Sequence, residues 1–324
     1  MFLVLALLSV VCAVAPMLTF LMIVWFLDRH DREPLWLFFL TFLWGACGAV
    51  AFALIGNQGA LSVLTTIFGS QVADTLAAPI IAPLVEEPMK ALVPFAVMQS
   101  RHFDNATDGF VYGAAAGLGF GMTENFVYFI DVAAQDNLAM WVFTVVIRTF
   151  FSALMHACAT SCVGAMLGFA RFRSNGWKAA ALPIGFGLAM GMHALWNGII
   201  TIGALTENGT FVFANLVLFL MEFAVLFVVF QISLWEERGT IRRELADEVE
   251  QKRLPESHAQ AAGGWLSRSK TDWLPKGVPH RAYVKVLTTL AMQKHQARNT
   301  THPFYSEDVA RLRGEVQGLL ALGK

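Results

Sequence analysis

APLVEEPMKALVPF (82–95) lies inside an apolar stretch, 76–98, long enough to cross a bilayer, yet it carries two carboxylates and an ammonium. A membrane helix needs about 20 apolar residues at a rise of about 1.5 Å each. An ionised side chain at the bilayer centre costs roughly 2.5–3.5 kcal/mol on insertion scales. The same conflict recurs in GLGFGMTENFVYF (117–129) with Glu124, and in GLAMGMHALWNG (187–198) with His193 and Asn197. It recurs again in VIRTFFSALMHACATS (146–161), with Arg148 and His156. Glu86, Glu87, Lys90, Glu124 and Arg148 together would cost on the order of 10 kcal/mol or more if they faced lipid. They must face one another or a wet cavity, so the chain reads as helices arranged around a polar centre.

Working outward, the composition agrees: 56% of the 324 residues are hydrophobic. Apolar runs at about 2–27, 34–56, 76–98, 108–131, 139–170, 179–203 and 210–235 predict seven spans. The run at 139–170 is over-long and is expected to begin as an interfacial or extracellular helical turn, while the patch 60–68 is too short to span and reads as re-entrant. Of 23 Lys and Arg residues, all but Lys90 and Arg148 fall in 28–33, 99–107, 171–178 and 236–324. The intervening segments hold none. By the positive-inside rule this alternation predicts an outer N-terminus and an inner C-terminus. Cys12, Cys47, Cys158 and Cys162 all sit in spans, so no disulfide framework is implied. The fold class expected is an all-α polytopic membrane protein of about seven transmembrane helices with a small helical cytosolic tail.

Two domains are expected, a membrane core at 1–235 and a tail at 236–324. The charged stretch from Trp235 to Arg253 has the three- and four-residue Glu/Arg spacings of a solvated helix continuing the last span. A linker at about 254–280 and amphipathic helices at 281–297 and 306–322 should follow. The last carries Val309, Leu312, Val316 and Leu319 on one stripe, with Ser306 as its N-cap. The tail holds no motif for chemistry and reads as a packed appendage or the seat of a protein partner. No nucleic-acid partner is expected. Low charge in the outer loops points to the inner membrane of a bacterium.

Helical periodicity then places the polar groups. Glu86 and Lys90 are one turn apart, beside Glu87, in a helix interrupted by Pro79, Pro83, Pro88 and Pro94. Each proline removes a backbone donor, a break tolerated where the helix lines protein or water. Gly109, Gly113, Gly117 and Gly121 form a stripe that lets a neighbouring helix approach closely and brings Glu124 to an interface. Arg148, Ser152, His156 and Thr160 form a second stripe, and Gly185, Ala189, His193 and Asn197 a third. With seven spans the acids and at least one His share a plane roughly 10–15 Å below the outer surface. A single intramembrane His or Glu–Lys pair is most simply a packing contact. Three Glu, two His and an Asn on separate spans point to a catalytic or transport centre.

These residues resemble the PrsW family of intramembrane proteases, in the superfamily that also holds the CAAX prenyl proteases. The family's EExxK pattern is present as Glu86-Glu87-Pro88-Met89-Lys90, and its FxxxE pattern as Phe120 to Glu124. Its later His motifs match His156, and His193 with Asn197. FLDRHDREP (26–34), DGFVYGAAAGLGFG (108–121) and HALWN (193–197) resemble the family as well. The likeness covers about residues 20–200. CAAX proteases usually carry an Arg five residues after the first Glu and a His where Glu124 stands, and this chain departs from both patterns.

The resemblance implies peptide-bond hydrolysis in or beside the membrane, on substrates such as membrane-tethered anti-sigma factors. Such hydrolysis needs an activated water, a proton path to the leaving amine and stabilisation of the oxyanion. Glu86 is the expected base, Glu87 its orienting neighbour, Lys90 the opposing charge, and Glu124 a second holder of the water. Arg148 and Phe120 are supporting residues. By resemblance, His193 and Asn197 would supply oxyanion donors, with His156 beside them. A metal version is equally open, with Glu124, His156 and His193 holding Zn²⁺ and Glu86 as base. The reading favours glutamate chemistry without a metal cofactor. The competing classes are a proton-coupled carrier, which uses the same residue types, and a non-catalytic membrane scaffold.

Overall fold

The computed structural model describes residues 1–100, 103–264, 266–299 and 303–323. Arg101 and Lys324, which entered the charge argument, lie outside them. All regular structure among the described residues is helical. In chain order the helices are α1 (Phe2–Leu27), α2 (Leu35–Leu43), α3 (Val50–Phe68), α4 (Ser70–Leu76) and α5 (Ala82–Val97). Then come α6 (Ala106–Ala134), α7 (Leu138–Ile147), α8 (Ala153–Ala170), α9 (Asn175–Leu205) and α10 (Thr210–Glu250). Short α11 (Glu256–Ala262), α12 (His280–Asn299) and α13 (Pro303–Ala321) complete the tail.

Among the described residues three π-helical turns, Trp44–Ala49, Ala77–Ile81 and Arg148–Ser152, join α2 to α3, α4 to α5 and α7 to α8 without a break. Such turns insert a residue into the helical register and are frequent at functional sites. Among the described residues five helices are long and apolar enough to cross a membrane: Phe2–Leu27, Leu35–Phe68, Leu138–Ala170, Asn175–Leu205 and Thr210–Glu250. The other two predicted spans are also helical, within 70–97 and in α6, and they carry the acids. The chain is an all-α, multi-pass membrane protein.

Several expectations need correction. Residues 60–68 are no re-entrant piece, since they complete the continuous helix 35–68, which stops at Gly69 with φ +82°. A positive φ of that kind is open to glycine at little cost. The run from Leu138 needs no correction, being helical from its start and passing the π turn into α8. The linker 254–280 contains α11 and a 3₁₀ turn at Ser267–Ser269. Ser306 is not a cap, because α13 already begins at Pro303 and the Ser306 hydroxyl donates to the Pro303 carbonyl at 2.8 Å.

The chain divides into two compact units, 1–27 with 33–230, and 28–32 with 231–324. In the first, α6 is the pivot. Asn105 caps it, accepting from the Thr107 and Asp108 amides at 2.6 and 3.2 Å. Its glycine stripe then lies directly on α8. A Cβ at Gly117 would lie well inside van der Waals contact with the His156 carbonyl oxygen, so only glycine permits this approach. The second unit packs Ile241, Leu245, Tyr283, Leu287, Leu290, Leu312 and Val316 into its own core. Val309, Leu312 and Val316 are buried there as their stripe predicts, with Leu319 against them.

Candidate functional site

The prolines, the glycine stripe and the π turn converge on one place. On α5, Glu86, Glu87 and Lys90 are buried, with Glu87 and Lys90 fully enclosed. Across the α6–α8 seam stand Glu124 and His156, and α9 contributes His193. His156 and His193 meet edge to face, their ring centres 4.8 Å apart. The structure therefore brings together Glu86, Glu87, Lys90, Glu124, His156, His193, Phe120 and Arg148.

Their hydrogen bonds divide the acids by role. Glu87 is saturated. Its Oε1 accepts from Lys90 Nζ at 2.8 Å and lies 2.9 Å from His193 Nδ1, while its Oε2 accepts from the Thr160 hydroxyl at 2.9 Å. Glu124 Oε2 lies 2.6 Å from His156 Nε2 and 2.9 Å from Arg148 Nη2. Glu86 is held more loosely. Its Oε2 is 3.4 Å from Lys90 Nζ and 3.9 Å from His193 Nε2, and its Oε1 accepts from Asn57 Nδ2 at 3.2 Å.

Lys90 fixes a tautomer. An ammonium can only donate, so His156 Nδ1, 2.9 Å from Lys90 Nζ, accepts. The ring proton then sits on Nε2 and is donated to Glu124. Phe120 lies under the same ammonium, its ring centre 4.0 Å from Nζ, a cation–π contact that helps hold a charge away from water. Arg148 is steadied in turn by Asn125, whose Oδ1 accepts from Nε at 3.2 Å, and by the Tyr128 ring 3.6 Å from its guanidinium carbon. The Glu124 side chain is 26% exposed where that of Glu87 is fully covered, so the cluster opens on the Glu124–Arg148 side.

Asn197 departs from expectation. It follows His193 by one turn, but its amide donates to the Ala78 carbonyl at 2.9 Å, in the π turn that precedes α5. It holds the backbone that presents the acids and is turned away from a place as oxyanion donor. Asn57 and Thr160, by contrast, touch the acids directly. Thr160 belongs to the stripe read from the sequence. Asn57 gave no signal beyond being an amide in an apolar span.

The sequence model described as "PrsW family intramembrane metalloprotease" matches residues 33–230, more than half of the chain. The chain belongs to that family. It is 29% identical over 193 residues to Protease PrsW of Oceanobacillus iheyensis, covering 58% of this chain and 80% of that one. To Protease PrsW of Bacillus subtilis it is 25% identical over 189 residues, with the same coverage. To that of Clostridioides difficile it is 34% identical over 116 residues, covering 36% and 47%. No solved structure matches. This PrsW-family chain is an intramembrane protease, a hydrolase.

The family description implies a metal, and the residues present fit one. Glu86, His156 and His193 are buried and each offers a ligand atom, all within 4.8 Å of one another. Three protein ligands with one open position is the arrangement of catalytic zinc. The acid in this set is Glu86, whereas the set drawn from the sequence had Glu124. Glu124 and Glu87 instead bond His156 Nε2 and His193 Nδ1, the place that orienting carboxylates take around metal sites, and His156 Nδ1 would ligate only where Lys90 Nζ, 2.9 Å away, gives up its hydrogen bond.

Proposed function

We propose that the chain crosses the membrane seven times with its N-terminus outside, and cleaves membrane-anchored proteins near the outer face of the bilayer. Single-span regulatory proteins, anti-sigma factors among them, are the substrate class. The alternation of basic segments supports this orientation, which puts the cluster roughly 10–15 Å below the outer surface. A tag fused to the C-terminus should resist protease added to intact cells, and its digestion from outside would overturn the orientation.

One observation carries the assignment of roles: Glu86 is the loosely held carboxylate in a cluster whose other acids are engaged. Glu86 Oε2 takes the proton of the attacking water, and Glu86 then delivers it toward the leaving amine. Glu87, fixed by Lys90 and Thr160, sets the ring of His193. His193 donates Nδ1–H to Glu87, so it offers an Nε2–H to the developing oxyanion only in its imidazolium form, beside Glu86. Glu124 holds His156 in one tautomer, and Lys90 balances the acids. Where a metal is bound instead, Glu86, His156 and His193 would hold it as ligands in place of the roles just given to Glu86 and His193, and it would supply an acidified water and a Lewis acid.

The test is reconstitution. Purified protein in proteoliposomes with a single-span reporter should yield fragments whose ends map to the outer third of the reporter's membrane segment. Cuts confined to the cytosolic side, or none with folded protein, would defeat the proposal.

A further inference from the structure

Asn57 stands on α3, a helix with Ala53 as its one buried residue. Two features nevertheless turn it inward. Gly56, its neighbour, faces Val85, the neighbour of Glu86, and a Cβ at position 56 would lie 2.5 Å from Val85 Cγ1. The helices meet there at a separation that would admit a side chain only by displacing Val85. At that crossing Asn57 Nδ2 donates to Glu86 Oε1 at 3.2 Å. Its own carbonyl, Oδ1, is buried without a hydrogen bond. An amide kept only for packing would be better replaced by an apolar side chain, because a buried polar atom left unpaired is destabilising. The half of the amide that is used is therefore the reason for its presence.

We propose that Asn57 is a positioning residue for Glu86: it pins Oε1, so that Oε2 is the oxygen turned to the attacking water. This rests on the reading of Glu86 as base. A carboxylate torsion is broad and roughly two-fold, and one fixed hydrogen bond removes that freedom before water arrives. Since small misplacements of reacting groups cost large factors in rate, Asn57 acts on the chemical step and leaves substrate binding alone.

The experiment uses the full chain in proteoliposomes with a single-span reporter, comparing Asn57→Leu, Asn57→Asp and Asn57→Gln. Leucine keeps the bulk without the donor, and aspartate keeps the shape but cannot donate when ionised. Both should lose about 10–100-fold in kcat, as outer partners of catalytic groups do, with KM little changed, while glutamine recovers part of the loss. Full activity in Asn57→Leu, or a loss confined to KM, would overturn the inference. A melting cycle of Asn57→Leu, Glu86→Leu and the double variant gives a readout independent of activity, since leucine at 86, unlike glutamine, leaves no oxygen to accept from Asn57. The shifts should be non-additive, because the hydrogen bond is lost only once; additive shifts count against the contact. An active Glu86→Gln protein removes the base and this inference with it. An inactive Glu86→Gln beside a fully active Asn57→Leu removes the inference alone.

Discussion

Two buried ionic clusters in this molecule differ in how completely their acids are met. In the tail, the Glu248 side chain is 2% exposed, and Arg253, Lys294 and Arg313 surround it at 2.6 to 2.7 Å. Three cations close on one carboxylate, and nothing is left to react. In the membrane unit the proportions reverse. Glu86, Glu87 and Glu124 share Lys90 and Arg148, and two imidazoles fill the gap. A saturated cluster is a clamp. One with an excess of acid, set where charge is most costly, has proton-accepting capacity to spare.

The largest expected effect removes that spare capacity. Glu86→Gln keeps shape but cannot take a proton, and should lower cleavage by about 10²–10⁴-fold, the usual share of a general base. Circular dichroism and melting of the variant should match wild type. Retained activity would end the contrast between the clusters.

Glu248→Gln should do the opposite. Removing one partner of a buried ion pair costs about 3–5 kcal/mol; with Arg253 and Arg313 each 35% exposed, the cost should fall at or below the lower end. Hydrogen exchange in α12 and α13 should rise while reporter cleavage by the membrane unit stays near wild type. A loss of activity equal to that of Glu86→Gln would show that the tail cluster is no mere clamp.

Gly117→Ala tests the seam that delivers Glu124 to His156. The added methyl must displace the His156 turn, and overpacking of this kind costs about 1–3 kcal/mol. Melting should fall, and kcat should fall more than the stability change explains. An unchanged kcat would place the histidine outside the reaction.

The smallest effect is a pH dependence in the tail unit. Burial, then the charges of Arg268, Arg29 and Arg238, hold His30 down to about 4. Between pH 6.5 and about 4 an unfolded histidine binds a proton that the folded one refuses, so stability linked to His30 is present above 6.5 and lost by about 4. Asp31, pushed up to about 6 by burial, works in the opposite sense. The quantity to measure is therefore the melting difference between wild type and His30→Gln, which should shrink as pH falls. A difference independent of pH would remove His30 from the account.

Much of this was legible in the sequence because helices convert spacing into faces. The stripes that carry His156 and His193, the glycine stripe that leads to Glu124, and the Glu86–Lys90 turn needed only the 3.6-residue period to be placed together. What escaped did so for identifiable reasons. Asn57 reaches Glu86 through a helix crossing made possible by Gly56, and no spacing within α5 points to α3. Asn197 shares the stripe of His193 but finds the carbonyl of Ala78, which only the π turn at 77–81 presents. The choice of Glu86 over Glu124 as companion to both histidines depends on which ring nitrogen each carboxylate takes. Periodicity carries no such information. Ser306 had the chemistry of a cap, but the helix began three residues earlier.

The central claim is that the acid-rich cluster hydrolyses membrane-anchored proteins. It is tested most directly by comparing protein N-termini in membranes of cells expressing wild type or Glu86→Gln at equal levels. The account predicts new N-termini near the outer membrane face that appear with wild type and vanish with the variant. Identical sets of N-termini in the two membranes, in cells that contain the single-span reporter, would contradict it.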